Sequence, residues 1–283
     1  MSSHSYTVES DYADFLPGDY LEEYYSEIGD ENRFLMDFHA WCSQAIAEDP
    51  GVAEIGLVLA DIGAGPTIYQ LISAAKLVEE IHVYEYSEAN RERVEYWINN
   101  QDDVFWDPYF HEGLAWENHY LNGSETGLSI TGQAVESRKA ELREKLRRCS
   151  PCDLFDAAVV TGKNLPKSGY PIVSSSFCVE AISNDPDIFE RALDGVVSLC
   201  AEQGYLVLTM VRNCNAYRSG DRYFPAYPVN EDSMKGTLEA KGFELVRIAS
   251  VEAEPPDRGY EALFGILAKR LPGQGRGRSS GGS

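Results

Sequence analysis

Residues 57–67 read Leu57-Val58-Leu59-Ala60-Asp61-Ile62-Gly63-Ala64-Gly65-Pro66-Thr67. A short apolar run ends in an aspartate and then turns through two glycines, which predicts a buried strand closing in a tight loop. Gly63 and Gly65 permit positive φ and let backbone come close to a ligand where a side chain would intrude. Ile68, Leu71, Ile72, Ala75 and Val78 follow at helical spacing over 67–79. Ile81-His82-Val83-Tyr84 predicts a second strand, closed by Glu85, and Val94, Trp97 and Ile98 mark the apolar face of a helix over 89–99.

The same alternation extends in both directions. Residues 20–28 and 32–47 carry helical patterns inside an aromatic, acidic N-terminal segment that reaches to about 49. Residues 100–132 are aromatic, polar and without period, and read as an irregular insertion. Residues 133–148 predict a charged helix, whose charges over 136–148 read as a solvated face. Further strands are expected at 157–160, 171–173 and 205–211, a helix at 187–202, and an antiparallel pair at 243–251 and 262–268. Residues 271–283, rich in Gly, Arg and Ser, predict a disordered tail. Strands alternating with helices imply an α/β fold, a mostly parallel sheet covered on both faces with an antiparallel terminal strand. No internal repeat or long linker divides the chain, so a single domain over 1–270 is expected. In such sheets ligands sit beyond the carboxyl ends of the strands, so the residues just after each strand are the ones to interrogate.

The 283 residues are 43% hydrophobic and 11% aromatic, a packed globule, and their formal charge is −22. So acidic a surface repels phosphate backbones and anionic membranes, and admits small neutral or cationic partners. No run reaches the ~20 apolar residues of a membrane span. The first residues lack a basic-then-apolar signal pattern, so a cytoplasmic location is expected. Six cysteines are too few for a disulfide scaffold of this size. Cys149-Ser150-Pro151-Cys152 has CxxC spacing, but without a second CxxC or an HxxxH it reads as structural, and no metal is expected. Oligomeric state is left open.

The turn discriminates between ligands. A dinucleotide fingerprint needs a third glycine where Ile68 stands, and no GK[ST] follows for a phosphate loop. Glu85, twenty residues beyond Gly65, can accept two hydrogen bonds from a ribose diol. Asp-x-Gly-x-Gly plus this acid fits a nucleoside without phosphates, a description that S-adenosyl-L-methionine meets.

Asp61-Ile62-Gly63-Ala64-Gly65-Pro66-Thr67-Ile68-Tyr69-Gln70, with Glu85-Tyr86-Ser87, resembles the nicotinamide, phenylethanolamine and indolethylamine N-methyltransferases, class I enzymes that use S-adenosyl-L-methionine. Phe15-Leu16-Pro17-Gly18-Asp19-Tyr20-Leu21-Glu22-Glu23-Tyr24-Tyr25 resembles that family's opening helix, and Ser175-Ser176-Phe177-Cys178-Val179-Glu180-Ala181 a later segment. The resemblance covers most of 12–270 and weakens across 100–132. It implies a Rossmann-like fold of seven strands with an N-terminal helical lid over 1–49. For the cofactor it implies Tyr20 and Tyr25 closing over it, Gly63, Ala64, Gly65, Thr67 and Tyr69 around its methionine part, Glu85 on the ribose with Tyr86 and Asn90 nearby, and Asp153 reading the adenine amine, with Leu154 and Ser176 beside them.

On the substrate side it implies Phe177 and Glu180, with Tyr24, Cys214 and Tyr217. Glu180 and Tyr217 are the catalytic candidates. Methyl transfer to nitrogen is an in-line displacement at a sulfonium and needs a free lone pair. A carboxylate can hold the cationic amine and help to deprotonate it. Two family acids are missing where this chain aligns Met210 and Cys214, which speaks against nicotinamide and leaves C- or O-methylation of a specialised metabolite, or an inert cofactor-binding homologue, as alternatives. Arg212 and Arg218 read as solvated surface, with pairing to a substrate carboxylate as the other possibility. His39 reads as packed beside Phe34 and Phe38. Trp106, Tyr109, His111 and Trp116 read either as a lid over an aromatic ligand or as core under a loop. The expected activity is transfer of a methyl group from S-adenosyl-L-methionine to the nitrogen of a small-molecule amine.

Overall fold

A computed structural model describes residues 12, 15–52, 57–99, 104–123, 130–154, 160, 166, 168–254 and 258–273. Helices α1 (Pro17–Tyr25) and α2 (Asp30–Ala47) precede β1 (Val58–Ile62), which ends in the glycine turn. Then come β2 (Glu80–Glu85), α3 (Glu88–Ile98), α4 (Asp107–Asn122), α5 (Gly132–Lys145), β3 (Leu146–Pro151) and β4 (Tyr170–Ser176). The chain continues through α6 (Pro186–Leu199), β5 (Cys200–Arg212), a hairpin of β6 (Ala216–Ser219) and β7 (Arg222–Pro225), α7 (Glu231–Ala240), β8 (Phe243–Glu252) and β9 (Ala262–Arg270).

Seven strands form one sheet in the order β3-β2-β1-β4-β5-β9-β8. The pairs β1–β2, β1–β4, β2–β3 and β4–β5 are parallel, and β9 runs antiparallel between β5 and β8. This is the Rossmann-like, seven-stranded, mostly parallel sheet that the resemblance implies. Chain order reverses between β1 and β4, and that switch point is where a doubly wound sheet opens a crevice.

The period-two alternation of buried strands divides the core into two layers. Leu59, Ile81, Ile172, Tyr205 and Val207 pack on one face beneath α2, α3, α4 and α5. Ala60, Val173, Leu206 and Leu208 pack on the other with Phe189, Leu193 and Val196 of α6 and Met234 and Leu238 of α7. Helix α6 starts cleanly because the Asp185 side chain accepts from the Asp187 and Ile188 backbone N–H groups, with Pro186 at its first position.

Three expectations need correction. Over 67–79 there is no α-helix, only 3-10 turns at Tyr69–Leu71 and Ala74–Lys76. Arg138 donates to Ile72 O and Lys145 to Ala75 O, so carbonyls that would continue a helical ladder are spent on α5. The 100–132 insertion is not irregular, for α4 occupies sixteen of its residues. Its period was hidden by Glu117, which is buried against Arg138 of α5 (Nη2–Oε2 2.9 Å). That pair, with Lys139 buried beside Asp107 and Glu136, shows that α5 is not the solvated face its charges suggest. Of 157–160 only Val160 lies among the described residues, in an antiparallel bridge to Cys152. The third strand is β3, at the sheet edge, where one-sided burial needs no continuous apolar run.

His39 is packed as expected, and burial lowers its pKa to about 4. Residues 274–283 of the expected tail lie outside the described residues. Among the described residues no helix is long and apolar enough to cross a membrane.

Candidate active site

Beyond the carboxyl ends of β1, β2, β3, β4 and β5 lies a cavity of about 580 Å³. The glycine turn forms one wall. Gly63 and Gly65 have φ of +68° and +60°, and a Cβ on Gly63 would stand 2.0 Å from Cys178 Sγ, so only glycine fits there. Gly63 and Ala64 donate their N–H groups to Tyr84 O at 2.8 and 3.2 Å, which bends the turn back onto β2.

Glu85, at the end of β2, is 7% exposed. Its carboxylate accepts from Gly65 N (2.9 Å), Ser87 N (2.8 Å) and Asn90 Nδ2 (3.1 Å). Burial raises its pKa against these donors, which favour the ionised form. Asn90 also lines the cavity, and its Oδ1 is buried without a partner among the described residues. Asp153 and Leu154, after β3, close this end beside Tyr86 and Ser87.

Glu180 sits in a 3-10 turn after β4 and is 1% exposed. One carboxylate oxygen accepts from Val211 N at 3.2 Å, and burial raises its pKa from 4.5 to about 7. Phe177, between Ser176 and Cys178, holds a left-handed φ of +50°, unusual for an aromatic residue. Its N–H is fixed on Thr209 O at 2.8 Å. Because that backbone strain belongs to any residue with a Cβ, Phe177→Gly should be more stable than Phe177→Ala by about 1 kcal/mol in urea denaturation, the reverse of the order in an extended loop.

Aromatic residues roof the cavity. Tyr20 packs on Tyr24 and Tyr25 with centroids 5.0 and 5.7 Å away, and Tyr25 stacks on Tyr69 at 5.2 Å. Helix α1 is latched to the hairpin: Tyr24 OH donates to Arg218 O at 2.8 Å, and Arg218 Nε donates to Glu23 at 2.9 Å. Tyr217 OH donates to Tyr12 OH at 3.2 Å, and both rings stack on Phe224.

The structure thus brings Tyr20, Tyr24, Tyr25, Gly63, Ala64, Gly65, Thr67, Tyr69, Glu85, Tyr86, Asn90, Asp153, Leu154, Ser176, Phe177, Glu180 and Tyr217 to one cavity. Cys214 is not with them: it is fully buried in the core just past the end of β5, off the lining. Met210 faces the opposite layer, and the residue that β5 turns to the cavity is Val211. Arg212 pairs with Glu231 and Glu252, and Arg218 with Glu23, which leaves neither for a ligand carboxylate. Trp106 and Tyr109 are core behind Tyr25 rather than lid, and His111 is exposed.

Sequence reasoning missed Tyr12, Phe15, Glu31, Leu35 and Tyr260 in the lining. Tyr260 donates to Glu31 at 3.0 Å across 229 residues, a pairing without a local signal. The hairpin had one: Gly220-Asp221 between two short runs is a two-residue turn pattern, and Gly220 adopts φ of +59°.

S-adenosyl-L-methionine fits this donor set. Glu31, Glu85, Asp153 and Glu180 line the cavity, and no lysine or arginine does among its described residues, which suits a cation and not a pyrophosphate. The unpartnered Asn90 Oδ1 and the open space at the Gly65 Cβ position leave polar contacts and room for a nucleoside.

Residues 4–271 match the NNMT/PNMT/TEMT family. The chain belongs to that family. It is 27% identical to human nicotinamide N-methyltransferase over 268 residues, 91% of this chain and 93% of that protein. It is 28% identical to Macaca mulatta phenylethanolamine N-methyltransferase, over 84% of this chain and 81% of that one. Among solved structures, magnesium protoporphyrin IX methyltransferase from Synechocystis PCC 6803 with bound SAM aligns over 92% of this chain and 93% of its own, at 15% identity and a TM-score of 0.46. The chain is therefore an S-adenosyl-L-methionine-dependent small-molecule methyltransferase.

Proposed function

We propose that the chain transfers a methyl group from S-adenosyl-L-methionine to the nitrogen of a small-molecule amine, with Glu180 as the acid that meets the amine. The observation that carries this reading is the buried Glu180 carboxylate, which accepts from the Val211 N–H and lines the same cavity as the glycine turn and Glu85. The residues suited to hold the cofactor are Tyr20, Tyr25, Gly63, Ala64, Gly65, Thr67, Tyr69, Glu85, Asn90 and Asp153, with Tyr86, Leu154 and Ser176 beside them. When bound, the cofactor supplies an electrophilic methyl carbon on a sulfonium.

The chain's own residues do the rest. Ionised Glu180 attracts the ammonium form of the acceptor and takes a proton from its nitrogen, which bares the lone pair. Phe177, Tyr217, Tyr24 and the other rings give the flat, apolar walls that exclude water and restrict the acceptor's orientation. Tyr217, bonded to Tyr12, fixes the roof above Glu180. The −22 net charge supports a cationic small molecule over a nucleic acid or an anionic membrane as partner. Six free cysteines support a reducing, cytoplasmic setting.

Mass spectrometry of products from amine and non-amine panels tests the reading: N-methylated amines are expected, and methylation of carbon or oxygen alone sinks it. For the cofactor side, Glu85→Gln turns one acceptor into a donor facing the Gly65, Ser87 and Asn90 donors. It should weaken calorimetric binding of S-adenosyl-L-methionine by about tenfold to a hundredfold.

A further inference from the structure

We propose that Gln70 is the positioning residue of the glycine turn, tying it to the Asp61 carboxylate so that its backbone is set before the cofactor arrives. The inference rests on the reading above that this turn embraces the methionine part of S-adenosyl-L-methionine. A turn with two positive-φ glycines has the greatest backbone freedom to lose, and its N–H groups are held by Tyr84 O and Glu85. Its far side is held by Gln70.

Gln70 is 2% exposed and does not line the cavity. Its Nε2 donates to Asp61 Oδ2 at 2.9 Å and lies 3.3 Å from Thr67 O and 3.5 Å from Ala64 O. The Thr67 hydroxyl lies 2.9 Å from Ala64 O and 3.0 Å from Gln70 Oε1, sharing one proton between them. A single amide thus joins the last part of β1 to both ends of the segment Ala64–Thr67. Only a side chain with both a carbonyl oxygen and an NH₂ at this reach can do so: leucine loses every bond, and glutamate loses the donors that meet Asp61, Ala64 and Thr67. Locking a binding loop in its bound shape improves affinity by removing the ordering cost, and the gain is confined to the ligand atoms that the loop touches.

That confinement makes the test. Calorimetry is run with S-adenosyl-L-homocysteine and with 5′-methylthioadenosine, which keeps the adenosine but lacks the amino-acid end. Gln70→Leu should raise Kd for S-adenosyl-L-homocysteine by about tenfold and change that for 5′-methylthioadenosine by less than about twofold. Asp61→Leu should repeat this pattern, and Asp61→Asn, which keeps an acceptor for Gln70, should restore wild-type binding. If Gln70→Leu does not fold, the Asp61 pair decides. Equal weakening of both probes, unchanged binding in a folded Gln70→Leu, or an Asp61→Asn as impaired as Asp61→Leu overturns the positioning role. A wild-type protein that binds neither probe would overturn the cofactor reading itself.

Discussion

Glu180→Gln is expected to cut kcat/KM for an amine acceptor by about a hundredfold and, at pH 8, to make the protein harder to unfold. The first effect follows from removing a charge-assisted contact and a proton acceptor at the reacting nitrogen. The second follows from burial. The folded pKa is raised from 4.5 to about 7, so between those values the folded protein keeps a proton that the unfolded chain releases. Stability contributed by the neutral carboxyl is therefore present below 4.5 and lost as pH rises through about 7, and above that the ionised group is a standing penalty. Glutamine carries no such penalty and still accepts from Val211 N, so the variant should exceed wild type by on the order of 3 kcal/mol at pH 8 and converge with it below pH 4.5. Denaturant titration at pH 4 and pH 8 measures the difference. In parallel, wild-type kcat/KM should climb with pH through about 7 as the carboxylate ionises, and the variant should lack that limb. A variant with undiminished turnover, or one less stable at pH 8, would take Glu180 out of the mechanism.

The second large effect separates two glycines that look alike in sequence. In Gly63→Ala the new Cβ meets Cys178 Sγ at 2.0 Å and Cys178 Cβ at 2.6 Å, at a φ that alanine resists. Either β4's exit or the turn must shift, at a cost of about 2–4 kcal/mol, and binding of S-adenosyl-L-methionine should fall below detection. Gly65→Ala has the same sign of φ but nothing within 4 Å of its Cβ. It should lose only about 1 kcal/mol of stability, while its methyl group enters the cavity and weakens the cofactor. Melting temperature and calorimetric Kd, measured together, distinguish the cases; equal stability losses for the two alanines would contradict the packing of Cys178 on the turn.

Legibility tracked the range of the interactions involved. The strand before the turn, the turn and Glu85 were readable because strand period, positive-φ glycine and a fixed spacing are properties of a short stretch of chain. The 3-10 turns over 69–76 were misread as helix because their carbonyls are taken by Arg138 and Lys145, more than sixty residues away. Helix α4 was missed because its buried Glu117 breaks the apolar stripe and makes sense only opposite Arg138. Met210 aligned where the family has an acid, but the alternation of β5 turns Val211 to the cavity instead, and Cys214, beyond the end of that strand, is buried off the lining.

The sequence alone determined a doubly wound α/β chain with a two-glycine turn after its first strand and an acid closing its second, since pattern and spacing encode what neighbouring residues do to one another. Only the tertiary structure decided the other half of the site: that Glu31 meets Tyr260, that Tyr12 and Tyr217 close the roof over Glu180, and that Arg218 is spent on Glu23. Those contacts join residues far apart in the chain, and their partners are chosen by how the layers pack, a quantity no local window of sequence contains.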